Sequence, residues 1–178
     1  MMDNMGVSTA SLSEQFRASS GTDKKYKILF SINSSSRGNR MYAFDKHIRH
    51  LEQSPILQKY NMEIEKTYLS GISLQEQIEL ISSASILVTV NGGGAVTSIF
   101  LPKGASVFLY FNDEEGNGGE PARLDWDLIN HLGYIRAHWL PRFKKTNVMP
   151  GSKTGPLPVD FDVFERLIDH ELDIISHL

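Results

Sequence analysis

Short apolar segments alternate with segments of helical periodicity along most of the sequence, and this order constrains the fold more than any other feature. Each apolar segment has the length of a strand and is followed by a polar or glycine-rich stretch. These segments predict strands at residues 26–32, 61–69, 85–90, 106–111 and 134–140. Helical spacing predicts helices at about 41–51, 73–81, 93–100 and 126–131, and an amphipathic helix from Phe161 onward.

This alternation implies parallel strands joined by helical crossovers, with helices on both faces of one sheet. The predicted fold class is therefore α/β: a Rossmann-like, three-layer α/β/α arrangement whose mainly parallel sheet has about five strands. Such sheets bind ligands beyond the carboxyl ends of their strands. Two polar or glycine-rich segments follow predicted strands there, at 33–40 and 91–98.

Composition excludes several classes of partner and site. The net charge of −3 gives no overall attraction to nucleic acid or to an anionic membrane, so neither is expected as a partner. The sequence has no cysteine, which excludes disulfides and thiolate-bound zinc. No apolar run approaches the roughly 20 residues that span a bilayer. The first residues, "MMDNMGVSTASLSEQ", lack the pattern of a signal peptide, so we expect a soluble chain without a targeting signal.

The chain length of 178 residues fits one domain. Residues 1–25 are polar and serine-rich and are predicted to be a flexible N-terminal segment, with a short helix around "SLSEQFRAS". Residues 26–178 are predicted to form a single Rossmann-like domain. Within it, Ser73 and Glu76 have the spacing of a capping box at the start of a helix.

Three consecutive glycines, Gly92, Gly93 and Gly94, follow the apolar run "SILVTV". Glycines allow positive φ and leave the backbone N–H groups uncovered, and a helix that begins there favours an anion. Thr97 and Ser98 add hydroxyl donors one turn later. The spacing is not G-x-G-x-x-G and lacks the lysine of a P-loop, so neither of those sites is indicated. The alternative is a tight strand–helix junction that binds no ligand.

The loop after the first predicted strand, "NSSSRGNR", presents Arg37 and Arg40 among small residues. Guanidinium groups suit phosphate oxygens because they donate two parallel hydrogen bonds. A solvated surface loop is the alternative. If both loops lie at one edge of the sheet, they would contact a diphosphate from two sides.

The segments "KILFSINSSSRGNR", "SLQEQIELISSASILVTVNGGGAVTSIFLPKGASVFLYF" and "DWDLINHLGYIRAHW" together resemble the C-terminal half of glycosyltransferase family 61. The resemblance covers roughly residues 14–140, in order and with similar spacing. It implies one Rossmann half of a GT-B fold. The family transfers sugars with inversion, commonly from UDP-sugars, to glycan or protein-linked acceptors, and usually without an essential metal. The resemblance thus implies a nucleotide-sugar donor, a glycan or glycoprotein acceptor, no cofactor and no metal.

By the same resemblance, the donor diphosphate would be held by the arginine loop and the glycine turn. The implied binding residues are Arg37, Arg40, Asn91, Gly92, Gly93, Gly94, Thr97 and Ser98.

Two departures from the family pattern are visible. The family's usual histidine before the glycine turn is Asn91 here, and an amide is neither a proton carrier nor a cation. The family's amino-terminal Rossmann domain has no counterpart in these 178 residues, so a missing N-terminal domain is an expected partner. The second interpretation is accordingly a non-catalytic nucleotide- or sugar-binding module, and no residue is predicted as the catalytic base.

Asp125 and Asp127 imitate the Asp-x-Asp metal motif of the GT-A architecture, although Asp125 is better explained as a helix N-cap. The loop at 113–118 approaches a calcium loop, but Leu124 stands where the bidentate glutamate should be. A flexible acidic loop is therefore predicted there.

Histidines and aromatic residues give weaker signals. The pairs His47 with His50 and His170 with His177 lie at helical spacing without a third metal ligand, so they are interpreted as solvated. Three aromatic residues near the last strand have the surface to stack on a base but are interpreted as core residues: Trp126, Tyr134 and Trp139.

Overall fold

A computed structural model describes residues 10–18, 25–32, 42–113, 123–143, 155–156 and 160–178. Within these ranges the strands are β1 (Tyr26–Ser31), β2 (Tyr42–Ala43), β3 (Met62–Thr67), β4 (Ile86–Val90), β5 (Ser106–Asp113), β6 (Arg136–Phe143) and β7 (Gly155–Pro156). The helices are α1 (Leu12–Ala18), α2 (Asp45–Gln53), α3 (Ile56–Lys59), α4 (Leu74–Ser82), α5 (Gly93–Val96), α6 (Arg123–Asn130) and α7 (Phe161–Ser176). Two 3₁₀ turns complete the set, at Leu69–Gly71 and Thr97–Phe100.

Five strands form one parallel sheet in the order β3-β1-β4-β5-β6. All five residues of β4 are buried, as expected for a central strand that is covered on both faces. The chain runs from β1 outward to β3 and returns to β4 on the other side of β1. This is the flavodoxin-like strand order, and its switch point lies between β1 and β4.

Helices cover both faces of this sheet. On one face, the ring of Phe30 in β1 lies 5.4 Å from Phe44 beside α2 and 6.5 Å from Phe164 of α7. On the other face, Trp139 of β6 lies 4.9 Å from Trp126 of α6. The predicted three-layer α/β/α class is therefore confirmed.

The capping box is also confirmed. The hydroxyl of Ser73 accepts from the N–H of Glu76, and the carboxylate of Glu76 accepts from the N–H of Ser73 at 2.7 Å. These hydrogen bonds lower the pKa of Glu76. The box sets the start of α4 at Leu74.

Two predicted helices, at about 41–51 and 93–100, differ from the structure. α2 begins at Asp45 rather than at residue 41, because the preceding Tyr42–Ala43 pairs with Gly155–Pro156. That pairing joins segments far apart in the chain, which local periodicity does not reveal. The predicted helix at 93–100 divides into an α-helical turn and a 3₁₀ turn.

The short helix predicted around "SLSEQFRAS" is confirmed as α1, and it packs against the rest of the domain. Leu12 is buried in the core, and its N–H donates to the carbonyl of Lys103 at 3.0 Å. Gln15 also donates to the carbonyl of Ser82. The predicted boundary at residue 25 therefore divides residues that pack together. No helix in the described ranges combines the length and the apolar character needed to cross a membrane.

Candidate functional site

The glycine turn lies at the switch point of the sheet. It directly follows β4, and β4 pairs in parallel with β1, with Phe30 opposite Val88. The carboxyl ends of these two strands are therefore neighbours. The N–H of Asn91, the first residue after β4, donates to the carbonyl of Tyr110 and holds the start of the turn to β5.

The three glycines meet three different requirements. Gly92 has φ 114° and ψ −155°, a combination that residues with a Cβ rarely adopt. A Cβ at Gly94 would lie 2.9 Å from the hydroxyl oxygen of Thr89, so this position must be small. A Cβ at Gly93 would meet nothing within 4 Å. Gly93 is thus the position where the turn faces open space.

Two backbone donors of the turn are available to a ligand. The N–H groups of Gly93 and Gly94 find no acceptor in the part of the chain that the structure describes. The carbonyl of Gly92 accepts from the N–H of Ala95 at 2.8 Å, which starts the helical turn behind them. Paired free N–H groups at a glycine turn form an anion-binding concavity.

Neither of the two predicted hydroxyl groups is a free donor at the surface of the turn. The hydroxyl of Thr97 donates to the carbonyl of Gly94 at 2.6 Å, so its proton is already used. Ser98 is fully buried, and its hydroxyl has no partner among the described residues. A ligand on the outer surface of the turn does not reach the hydroxyl of Ser98 in this arrangement.

The serine at the end of β1 was not singled out in the sequence. Ser31 is 1% exposed, its hydroxyl has no partner among the described residues, and it lies 3.5 Å from the position of a Cβ on Gly94. Its one sequence signal was its place near the end of a predicted strand, two residues before the arginine loop. The end of β1 and the glycine turn are therefore in contact.

Arg37 and Arg40 lie outside the described residues. The structure brings the strand that leads into their loop beside the glycine turn. The position of their guanidinium groups stays a prediction.

Asp125 is not the N-cap that the sequence favoured. α6 begins two residues earlier, at Arg123, so Asp125 lies inside its first turn. Its side chain is 4% exposed, and Oδ2 accepts a hydrogen bond from the N–H of Gly92 at 2.7 Å. The carboxylate of α6 therefore takes the first donor of the glycine turn. No group of three or more potential metal-ligating side chains occurs in the described ranges.

The three aromatic residues near the last strand divide in two. Tyr134 and Trp139 are partly buried; the hydroxyl of Tyr134 donates to the carbonyl of Ile99, and the indole N–H of Trp139 donates to Asn130. Trp126 is 43% exposed, so its interpretation as a core residue is wrong. Trp126 is exposed because its neighbour Asp125 is the buried residue at the start of α6.

The interpretation of His47 as a solvated residue is also wrong. It is fully buried among aromatic rings, and its Nε2 lies 2.9 Å from the hydroxyl of Tyr110. Burial, and then the charge of His50, lower the pKa of His47 to about 4, and burial raises the pKa of Tyr110. The helical spacing placed His47 one turn before the apolar Leu51, which was the signal for a buried face. On α7, His170 and His177 are exposed as predicted.

Most of the acidic loop at 113–118 lies outside the described residues, and Asp113 is the last residue of β5. The prediction of a flexible loop there stays a prediction.

Several solved structures are similar to this chain. A crystal structure of the flavodoxin-like domain from a Synechococcus sp. protein matches 85% of this chain and 96% of its own, with 14% sequence identity and a TM-score of 0.41. No curated protein matches the chain.

The comparison with family models covers the segment that contains the glycine turn. The model of the family Glycosyltransferase 61 matches residues 2–108, which is more than half of the chain. The match includes β1, the arginine loop, β4 and the glycine turn. This confirms the resemblance seen in the sequence: the chain belongs to glycosyltransferase family 61.

Proposed function

We propose that this chain is the donor-binding half of an inverting, metal-independent GT-B glycosyltransferase. It would bind the diphosphate of a nucleotide-sugar, most simply a UDP-sugar, at the carboxyl ends of β1 and β4. The observation that carries the proposal is the pair of N–H groups at Gly93 and Gly94, which have no acceptor among the described residues and lie at the switch point of the sheet, with open space beside Gly93.

The chemistry that these groups offer is stabilisation of the leaving group. As the bond between the sugar and the diphosphate breaks, negative charge develops on the diphosphate oxygens. Fixed backbone donors and guanidinium groups lower the energy of that charge. In this proposal Gly93, Gly94, Arg37 and Arg40 supply these donors.

The acceptor hydroxyl also needs a general base. Asn91 cannot serve, because an amide does not take up a proton at neutral pH. The proposal therefore assigns the base and the acceptor site, for a glycan or glycoprotein, to a second Rossmann domain that completes the GT-B fold.

The second candidate is a non-catalytic module that binds a nucleotide or a sugar. Two observations favour it: Asn91 stands in the place of the family's usual histidine, and the carboxylate of Asp125 occupies the N–H of Gly92. Both candidates require nucleotide binding. Turnover of a UDP-sugar by the purified chain would exclude this second candidate.

Calorimetric titration with UDP tests the shared claim. Arg40→Ala removes a charged donor, and Gly93→Ala places a methyl group in the open space beside the free N–H groups. We expect each variant to bind UDP at least about tenfold more weakly than the unmodified chain, a loss of about 1.4 kcal/mol.

Gly93→Ala is the more informative variant because the fold has room for it. Gly93 does not have a positive φ, and a Cβ at this position would meet nothing within 4 Å. The thermal unfolding midpoint of Gly93→Ala should therefore equal or exceed that of the unmodified chain. Repeating the titration in EDTA examines metal independence. An absence of UDP binding, or an affinity that neither variant changes, would contradict the proposed function.

A further inference from the structure

The protein's own carboxylate lies in the proposed diphosphate site. Asp125 is 4% exposed, and its Oδ2 lies 2.7 Å from the N–H of Gly92, the residue just before the two available donors. A diphosphate held by Gly93 and Gly94 would therefore approach a negative charge that the protein itself supplies. Ser31 lies against the same turn, and its buried hydroxyl has no partner among the residues that the structure describes.

We propose that Asp125 is an affinity-setting residue: its carboxylate competes with the diphosphate for the glycine turn and so keeps nucleotide binding weak and readily reversible. This inference rests on the proposed function, because it concerns the same site. It adds a residue that neither the sequence interpretation nor the family resemblance assigned to donor binding.

The geometry fixes the competing charge in place. Asp125 belongs to the first turn of α6, and α6 is held to the sheet by the contact of Trp126 with Trp139. The carboxylate is thus not a freely moving surface group that swings away when an anion arrives. Because it is buried, the charge is also screened less by salt than an exposed one would be.

The carboxylate has two separable effects on the turn. As an acceptor, Asp125 satisfies the N–H of Gly92 and helps to hold that residue at its positive φ. As a charge, it repels any anion bound to the next two N–H groups. Asparagine has nearly the same shape and keeps an acceptor oxygen for Gly92, but it removes the charge. Asp125→Asn therefore removes the charge and keeps an acceptor for the N–H of Gly92.

The helix itself offers a matched control. Asp127 lies two residues further along α6 and is exposed. Asp127→Asn makes the same change in net charge without changing the group that contacts Gly92. A general effect of net charge would raise the UDP affinity of both variants. Competition at the turn would raise it only in Asp125→Asn.

The experiment measures the affinity of the unmodified chain, Asp125→Asn and Asp127→Asn for UDP and for uridine, which carries no phosphate. We expect Asp125→Asn to bind UDP about tenfold more tightly than the unmodified chain, and Asp127→Asn to bind it equally. Uridine affinity should be the same in all three proteins. Binding of UDP by Asp125→Asn alone would contradict both the inference and the proposed function, because the unmodified chain would then bind no nucleotide.

The opposite outcomes are distinct. If the unmodified chain binds UDP and Asp125→Asn binds it equally or more weakly, the inference is wrong and the proposed function stands. Equal tightening by both substitutions, or tightening of uridine as well, also overturns the inference. If UDP binds to none of the three proteins, the inference and the proposed function fail together.

Discussion

Replacing Glu171 with glutamine is expected to lower the free energy of unfolding by about 3 kcal/mol at pH 7, the low end of the range for breaking a buried ion pair. Glu171 of α7 is 1% exposed, and its carboxylate accepts from three groups of the sheet. Nε of Arg136 lies at 2.7 Å, Nε2 of His138 at 2.8 Å, and the hydroxyl of Ser106 also donates to it. Glutamine would turn an N–H toward at least one of these donors and leave it unpaired.

The same contacts predict how stability depends on pH. Burial raises the pKa of Glu171, but the hydrogen bonds from His138, Ser106 and Arg136 outweigh burial and lower it to about 2. This group therefore stabilises the fold fully above the ordinary glutamate pKa of about 4.5. Its contribution is lost as the pH falls from there toward 2.

Urea unfolding at pH 7 measures the effect of Glu171→Gln. Asp173→Asn is the matched control, because Asp173 is exposed on the same helix, and its cost should stay within about 0.5 kcal/mol. Equal stabilities of the two variants would show that the buried carboxylate does not hold α7 to β5 and β6.

His47 is expected to make the protein lose up to about 3 kcal/mol of stability between pH 6.5 and pH 4. Its pKa is near 4 in the folded protein and 6.5 ordinarily, so the unfolded chain takes up the proton first. Stability that depends on a neutral His47 is complete above pH 6.5 and decreases as the pH falls toward 4. The physical cause is burial among aromatic rings, including Phe44 and Phe164 at 5.3 and 5.0 Å.

The measurement compares urea unfolding at pH 7 and at pH 4.5 for the unmodified chain, His47→Gln and His170→Gln. Glutamine does not titrate and can still hydrogen-bond to the hydroxyl of Tyr110. We expect His47→Gln to lose markedly less stability over this interval, while His170→Gln, at an exposed position of α7, behaves as the unmodified chain. An unchanged pH dependence in His47→Gln would mean that His47 becomes charged without unfolding the protein.

The strands of the main sheet were predictable because burial on both faces requires continuous apolar residues, as in Ile86–Val90. The start of α4 was predictable because its cap is local, from Ser73 to Glu76. The pairing of Tyr42–Ala43 with Gly155–Pro156 joins distant segments and carries no local signal. The sequence therefore indicates the main sheet better than the elements that surround it.

The site was predictable in part for the same reason. The glycine turn is a local feature, and the parallel order placed the end of β1 beside it. The contact between Asp125 and Gly92 joins the first turn of α6 to the glycine turn, and the local pattern of Asp125 indicated a cap instead. His47 was misjudged because a helix face that carries charged neighbours can still bury one residue against the sheet.

The central claim is that the N–H groups of Gly93 and Gly94 bind a nucleotide diphosphate, and backbone amide NMR shifts during a titration with UDP test it most directly. We expect the amide signals of Gly93 and Gly94 to move together and to saturate. The amide signals of Gly104 and Gly133 should stay in place, because these glycines precede β5 and β6 at the amino ends of the strands. Saturable shifts elsewhere, with Gly93 and Gly94 unmoved, would contradict the claim.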